Sequence, residues 1–171
     1  MPQKSLMKIK VVGVGGSGCN AVSRMAKCDI KGVELIVLNT DEQDLRKSRA
    51  HQKIRIGKNL TRGLGTGMNP EVGKKAAEEQ GGEIEDALKG ADMIFIACGL
   101  GGGTGTGAAP VVAEIARNMG ALVVAVATKP LSFEGLERQK IADKGEALLK
   151  DKVDALLIVK NDKLLEILDP A

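Results

Sequence analysis

Apolar residues fall into short unbroken runs alternating with stretches where they recur every three or four positions. The runs at 8–14 (Ile9, Val11, Val12, Val14), 33–39, 91–98, 121–128 and 155–159 predict buried strands, and alternation over 53–56 predicts a short edge strand. Between them the spacing predicts helices. One ends near Met25, one spans 42–47, and one ends at Leu149. A further helix carries Ala108, Val112, Ile115, Ala116 and Met119, with Pro110 in its first turn and Gly120 just past its end. Asn69-Pro70-Glu71 supplies a cap, an N1 proline and a first-turn acid for a helix with Val72, Ala76, Ile84 and Leu88 on one face. Gly81-Gly82 interrupts that face, at ~1 kcal/mol per glycine relative to alanine, so one bent helix and two short ones both fit. Asn161 would cap a last turn over 163–168.

Strands alternating with helices predict an α/β fold: a Rossmann-like, mostly parallel sheet with helices on both faces. Right-handed crossovers bring the loops that begin at Gly13, Asn39, Gly57, Gly99, Thr128 and Lys160 to one edge of that sheet, which is the expected binding site. No repeat, low-complexity segment or linker divides the chain. It is expected to hold a disordered lead, 1–7, and one domain, 8–171.

Composition narrows the function classes. Of 171 residues 43% are hydrophobic and 27% charged, ordinary for a globular domain. Tryptophan and tyrosine are absent and phenylalanine occurs twice, which argues against stacking platforms for nucleic acid. A net charge of +3, with both signs interspersed, is no nucleic-acid footprint either. No run reaches the ~18 apolar residues a membrane span requires, so no direct membrane insertion is expected. Cys19, Cys28 and Cys98 lack metal-ligand spacing and are expected as reduced thiols in a cytoplasmic protein. His51 lies in a polar stretch and is expected as a solvated loop residue.

The candidate chemistry lies in the glycines. Gly101-Gly102-Gly103-Thr104-Gly105-Thr106-Gly107 joins a strand end to a helix start, and five of its seven residues have no side chain. Its backbone can approach a ligand closely, with N–H groups converging at a positive helix end as a phosphate site does. A second turn, Gly13-Val14-Gly15-Gly16-Ser17-Gly18, scores as GxGxxG and fits nucleotide binding and close helix–strand packing equally. A third lies between Gly57 and Gly67. Asp41, after the second strand, fits a ribose ligand or a cap for the helix that follows. Glu134 and Arg138, at positions i and i+4, fit a surface ion pair as well as a site. No GxxxxGK[ST] exists, which excludes a P-loop. A dinucleotide-binding Rossmann module for NAD(P) would leave the 99–107 loop without a role.

The 99–107 loop with its flanks, together with Val12–Val22, Asn39-Thr40-Asp41, 61–67, 69–73, Thr128-Lys129-Pro130, Phe133-Glu134-Gly135 and 161–165, resembles the FtsZ family, prokaryotic tubulin homologues of cell division, over residues 8–168. The resemblance implies a GTPase domain that binds GTP/GDP with Mg2+ held mainly through the phosphates and water. Gly15, Gly16, Ser17, Gly18, Cys19 and Asn20 would line the nucleotide, with Asn20 facing the guanine. Gly101, Gly102, Gly103, Thr104, Gly105, Thr106 and Gly107 would wrap the α- and β-phosphates. Gly65, Thr66, Gly67 and Met68 would approach the γ-phosphate. Glu134 would hold the ribose, Arg138 would lie near phosphates or sugar, Asp41 would act through magnesium and water, and Asn161 completes the set. Lys160 departs from the family's usual proline.

The resemblance also implies that a second domain, expected to be absent from this chain, follows this one in the family's members. Its acidic loop enters the neighbouring subunit's site and positions the attacking water. No catalytic residue is therefore expected within this chain, and nucleotide should bind with little turnover. Expected partners are guanine nucleotide and full-length FtsZ-like subunits at the division site, through self-assembly into protofilaments. The alternative is a chain that caps filament ends and inhibits polymerisation.

Overall fold

The computed structural model describes residues 6–160. Six strands, β1 (Ile9–Val14), β2 (Val33–Asn39), β3 (Gln52–Arg55), β4 (Met93–Gly99), β5 (Leu122–Lys129) and β6 (Ala155–Lys160), form one sheet in the order β3-β2-β1-β4-β5-β6. All five pairings are parallel. The connections carry α1 (Gly15–Lys27), α2 (Glu42–Lys47), α3 (Pro70–Glu79), α4 (Gly81–Leu88), α5 (Thr104–Asn118) and α6 (Leu136–Lys150).

Alternation along the strands builds two cores. Val12, Val14, Ile36, Leu38, Ile94, Ile96, Val123 and Ala125 face the layer of α3, α4, α5 and α6, contributing to the larger core with Ala108, Val112 and Ala116 of α5. Val11, Leu35 and Val37 face the other way onto Cys19 and Val22 of α1 and Leu45 of α2. The second face of β5 and β6 is only half covered, and Leu157 there is 60% exposed.

Strand positions and the edge placement of β3 follow the sequence pattern. The helix starts differ in two places. Helix α1 begins at Gly15, so Gly15–Asn20 are helical rather than a turn preceding the helix. Helix α5 begins at Thr104, which puts Pro110 inside it rather than in its first turn. The early start is a packing consequence. A Cβ at Gly105 would lie 2.5 Å from the Gly99 carbonyl oxygen, and one at Gly107 would overlap the Pro70 carbonyl, so the bare turn winds flush against β4 and α3. The Gly81-Gly82 break resolves into two helices hinged at Gln80. His51 is exposed, yet its Nδ1 accepts a hydrogen bond from the Leu35 N–H at 2.8 Å, which ties the start of β3 to β2. The predicted turn at 163–168 and residues 1–5 of the predicted lead lie outside the described residues.

Candidate functional site

The carboxyl ends of β1, β2, β4 and β5 open onto one cleft of about 620 Å3. Its floor is the meeting of two helix starts. Gly15 has φ +76°, a conformation that glycine adopts without strain, and a Cβ there would lie 2.9 Å from the Gly105 nitrogen. A Cβ at Gly99 would lie 2.7 Å from Ser17 Oγ. The 13–20 segment and the 99–107 segment therefore abut, and the N-termini of α1 and α5 share the cleft.

Their chemistry sets these two helices apart. Helix α2 is capped by Asp41, whose Oδ1 accepts the Asp44 N–H at 3.0 Å, and α3 by Asn69, whose Oδ1 accepts the Glu71 N–H at 3.0 Å. Helices α4 and α6 carry Glu83 and Glu137 in their first turns. Among the described α-helices, α1 and α5 alone have neither a capping side chain nor a first-turn acid. Two positive helix ends with unanswered N–H groups thus face one solvent-filled space, an arrangement that favours an anion. Gly16 and Gly102 keep its floor bare. Nothing lies within 4 Å of a Cβ built on Gly102, and only the Asp44 carboxylate, at 4.0 Å, is near one built on Gly16.

The walls are polar. Asn39 is buried at the end of β2, where its Oδ1 accepts the Asp41 N–H at 3.2 Å. Its Nδ2 is the one buried side-chain polar atom without a partner among the described residues. Thr40 Oγ1 and Thr104 Oγ1 lie 2.8 Å apart. Asp41, Asp44 and Glu134 add carboxylates and Arg138 a cation. The Arg138 guanidinium lies 3.6 Å from Glu134 Oε1 and donates to Met68 Sδ at 3.6 Å, spanning from α6 to the 57–69 loop.

Of the residues singled out from sequence, Gly15, Gly16, Ser17, Asp41, Gly65, Thr66, Met68, Gly102, Gly103, Thr104, Gly105, Glu134 and Arg138 line this cleft. Others lie behind it. A Cβ on Gly18 would overlap the Ala97 carbonyl, so Gly18 serves helix–strand packing. The Cys19 thiol points into the core toward the Leu38 carbonyl oxygen, 3.4 Å away. Thr106 is buried, its Oγ1 accepting the Gly101 N–H at 2.9 Å, while Gly101 itself packs on Pro130. Gly107 backs onto α3, and Asn20 and Gly67 are outside the cleft wall. Asn161 lies outside the described residues. The Asp41 cap and the Glu134–Arg138 pair both form, and both are part of the cleft wall. Sequence reasoning passed over Asn39, Thr40 and Asp44 as site residues. The signal for the first two was their position, at the carboxyl end of a central strand.

A sequence model of the Tubulin/FtsZ family, GTPase domain, matches residues 8–169. Cell division protein FtsZ 1 of Thermococcus kodakarensis is 59% identical over 160 residues, which are 94% of this chain and 43% of that protein. Among solved structures, an empty FtsZ dimer from M. jannaschii matches with a TM-score of 0.95 at 50% identity, over 99% of this chain and 49% of that one. A GTPγS-bound protofilament of CetZ2 from Haloferax volcanii matches at 0.84 and 30% identity, over 91% and 50%. The chain spans about half the length of these relatives.

Proposed function

Because the chain belongs to the Tubulin/FtsZ family and matches its GTPase domain, we propose that the cleft binds GTP and GDP through their phosphates. The observation that carries this reading is the pair of helix starts, α1 and α5, left without cap or acid at one bare glycine floor. First-turn N–H groups around Gly15–Ser17 and Gly103–Gly105 would hold the phosphate tail. Gly65, Thr66 and Met68, on the loop before α3, would meet its far end, and Glu134 would accept from the ribose hydroxyls. Asn20 is assigned to the base side, and Asn161 to the nucleotide, by the family resemblance alone. Magnesium, when bound, would neutralise phosphate charge, with Asp41 near it through water.

Leu64 and Phe133, each next in sequence to a cleft-lining residue, and Leu136, two residues before Arg138, are 86%, 75% and 74% exposed. Exposed apolar residues beside a polar cleft favour contact with another subunit, and self-assembly is in keeping with the protofilament in which CetZ2 was solved. Phosphoryl transfer depends mainly on positioning and charge stabilisation. The water-positioning acids are assigned to the neighbouring subunit, so this chain alone should turn GTP over slowly. Denaturing the purified protein and identifying the released nucleotide by chromatography, with NAD competition against a labelled guanine nucleotide, tests the reading. Released GDP or GTP that NAD does not displace supports it; displacement by NAD at equal concentration replaces it with a dinucleotide site.

A further inference from the structure

We propose that Thr40 is a positioning residue that makes the Thr104 hydroxyl a hydrogen-bond donor aimed at a phosphate oxygen. The inference rests on the nucleotide reading above and adds a residue to which the family resemblance gives no role. Thr40 is fully buried at the end of β2, and its hydroxyl has one side-chain partner among the described residues, Thr104 Oγ1 at 2.8 Å. Thr104 is the first residue of α5, half-exposed in the cleft wall.

Only two arrangements of the shared proton exist. If Thr104 donates to Thr40, the buried Thr40 proton has no acceptor and Thr104 shows the cleft only lone pairs. If Thr40 donates, its buried hydroxyl is satisfied and the Thr104 proton is free to point outward. Leaving a buried donor unpaired is the costlier choice, and the positive ends of α1 and α5 favour an anion on the same side. Hydroxyls in series also polarise one another, so the outer O–H donates more strongly than an isolated threonine would. Thr40 thereby selects the donor state of Thr104 without touching the ligand, and ties the β2 end to the glycine turn across 64 residues of chain.

A double-mutant cycle on the full chain decides the matter, with affinities for GDP and for guanosine read by competition against a fluorescent GDP. Thr40→Val keeps the buried shape and removes the hydroxyl; Thr40→Ser restores it. Thr40→Val and Thr104→Val are each expected to weaken GDP about tenfold, a single charged hydrogen bond's worth. Guanosine should be unaffected, Thr40→Ser should stay within about twofold of the parent, and the double variant should be no weaker than Thr104→Val alone. Equal GDP affinity in Thr40→Val, or losses that multiply in the double variant, would overturn the positioning role while leaving the nucleotide reading intact. A parent chain that binds no guanine nucleotide removes both.

Discussion

Cys19 and Cys98 are buried, and loss of hydration is the first cause that pushes both thiols from the ordinary 9.0 up to about 12; at Cys19 the Asp44 charge adds to it. Unfolding returns both to water, so the unfolded chain releases these protons near pH 9 while the folded chain keeps them to about pH 12. The folded state then binds more protons across that window. Stability is fully present below pH 9 and falls as pH rises through it, by about 1.4 kcal/mol per pH unit for each thiol. The chain has no tyrosine to titrate alongside them. Denaturant midpoints measured from pH 8 to pH 10 should fall less steeply in Cys98→Ala than in the parent, whatever the cavity costs, since that cost is the same at every pH. Parallel slopes would mean the Cys98 thiol ionises as readily folded as unfolded.

At the scale of elements, glycines that look alike in sequence divide by what lies beside them. A Cβ on Gly107 would overlap the Pro70 carbonyl oxygen and lie 2.7 Å from the Lys74 nitrogen, both on α3 or at its start. One on Gly102 meets nothing within 4 Å. Gly107→Ala should cost about 1–3 kcal/mol by overpacking, against the ~1 kcal/mol that alanine gains inside a helix. Gly102→Ala should melt within about 0.5 kcal/mol of the parent without ligand, yet bind GDP more weakly because its methyl occupies the floor. The reverse ranking, a stable Gly107→Ala and an unfolded Gly102→Ala, would invert the assignment of packing and cleft glycines. The same division marks what the sequence could convey. Val33–Asn39 and Glu42–Lys47 coincide with their expected spans because an apolar run and the Asp41 cap are local signals. The starts of α1 and α5 do not, since a glycine run carries no side-chain periodicity and its winding is decided by neighbours distant in sequence. The unpartnered Asn39 amide and the Thr40–Thr104 contact are likewise products of tertiary placement.

The cleft's location belongs to the molecule as a whole. From β1 the chain builds outward to β2 and β3, then returns to β4 on the other side of β1 and builds to β5 and β6. The direction of winding reverses between β1 and β4, and loops diverging there leave a crevice at the carboxyl edge. A ligand in that crevice touches the ends of β1 and β2 from one half and of β4 and β5 from the other. Such a ligand binds only when both halves are folded and docked, so its binding free energy adds to the global unfolding free energy instead of to one half. GDP at a hundred times its dissociation constant should add about 2.7 kcal/mol, which for a domain of this size raises the melting temperature by roughly 5–10 °C. Circular dichroism should record one transition moving as a unit. A melt that splits, with one step shifted by GDP and the other fixed, would show that only one half of the sheet grips the nucleotide, and the shared floor of α1 and α5 would lose its role.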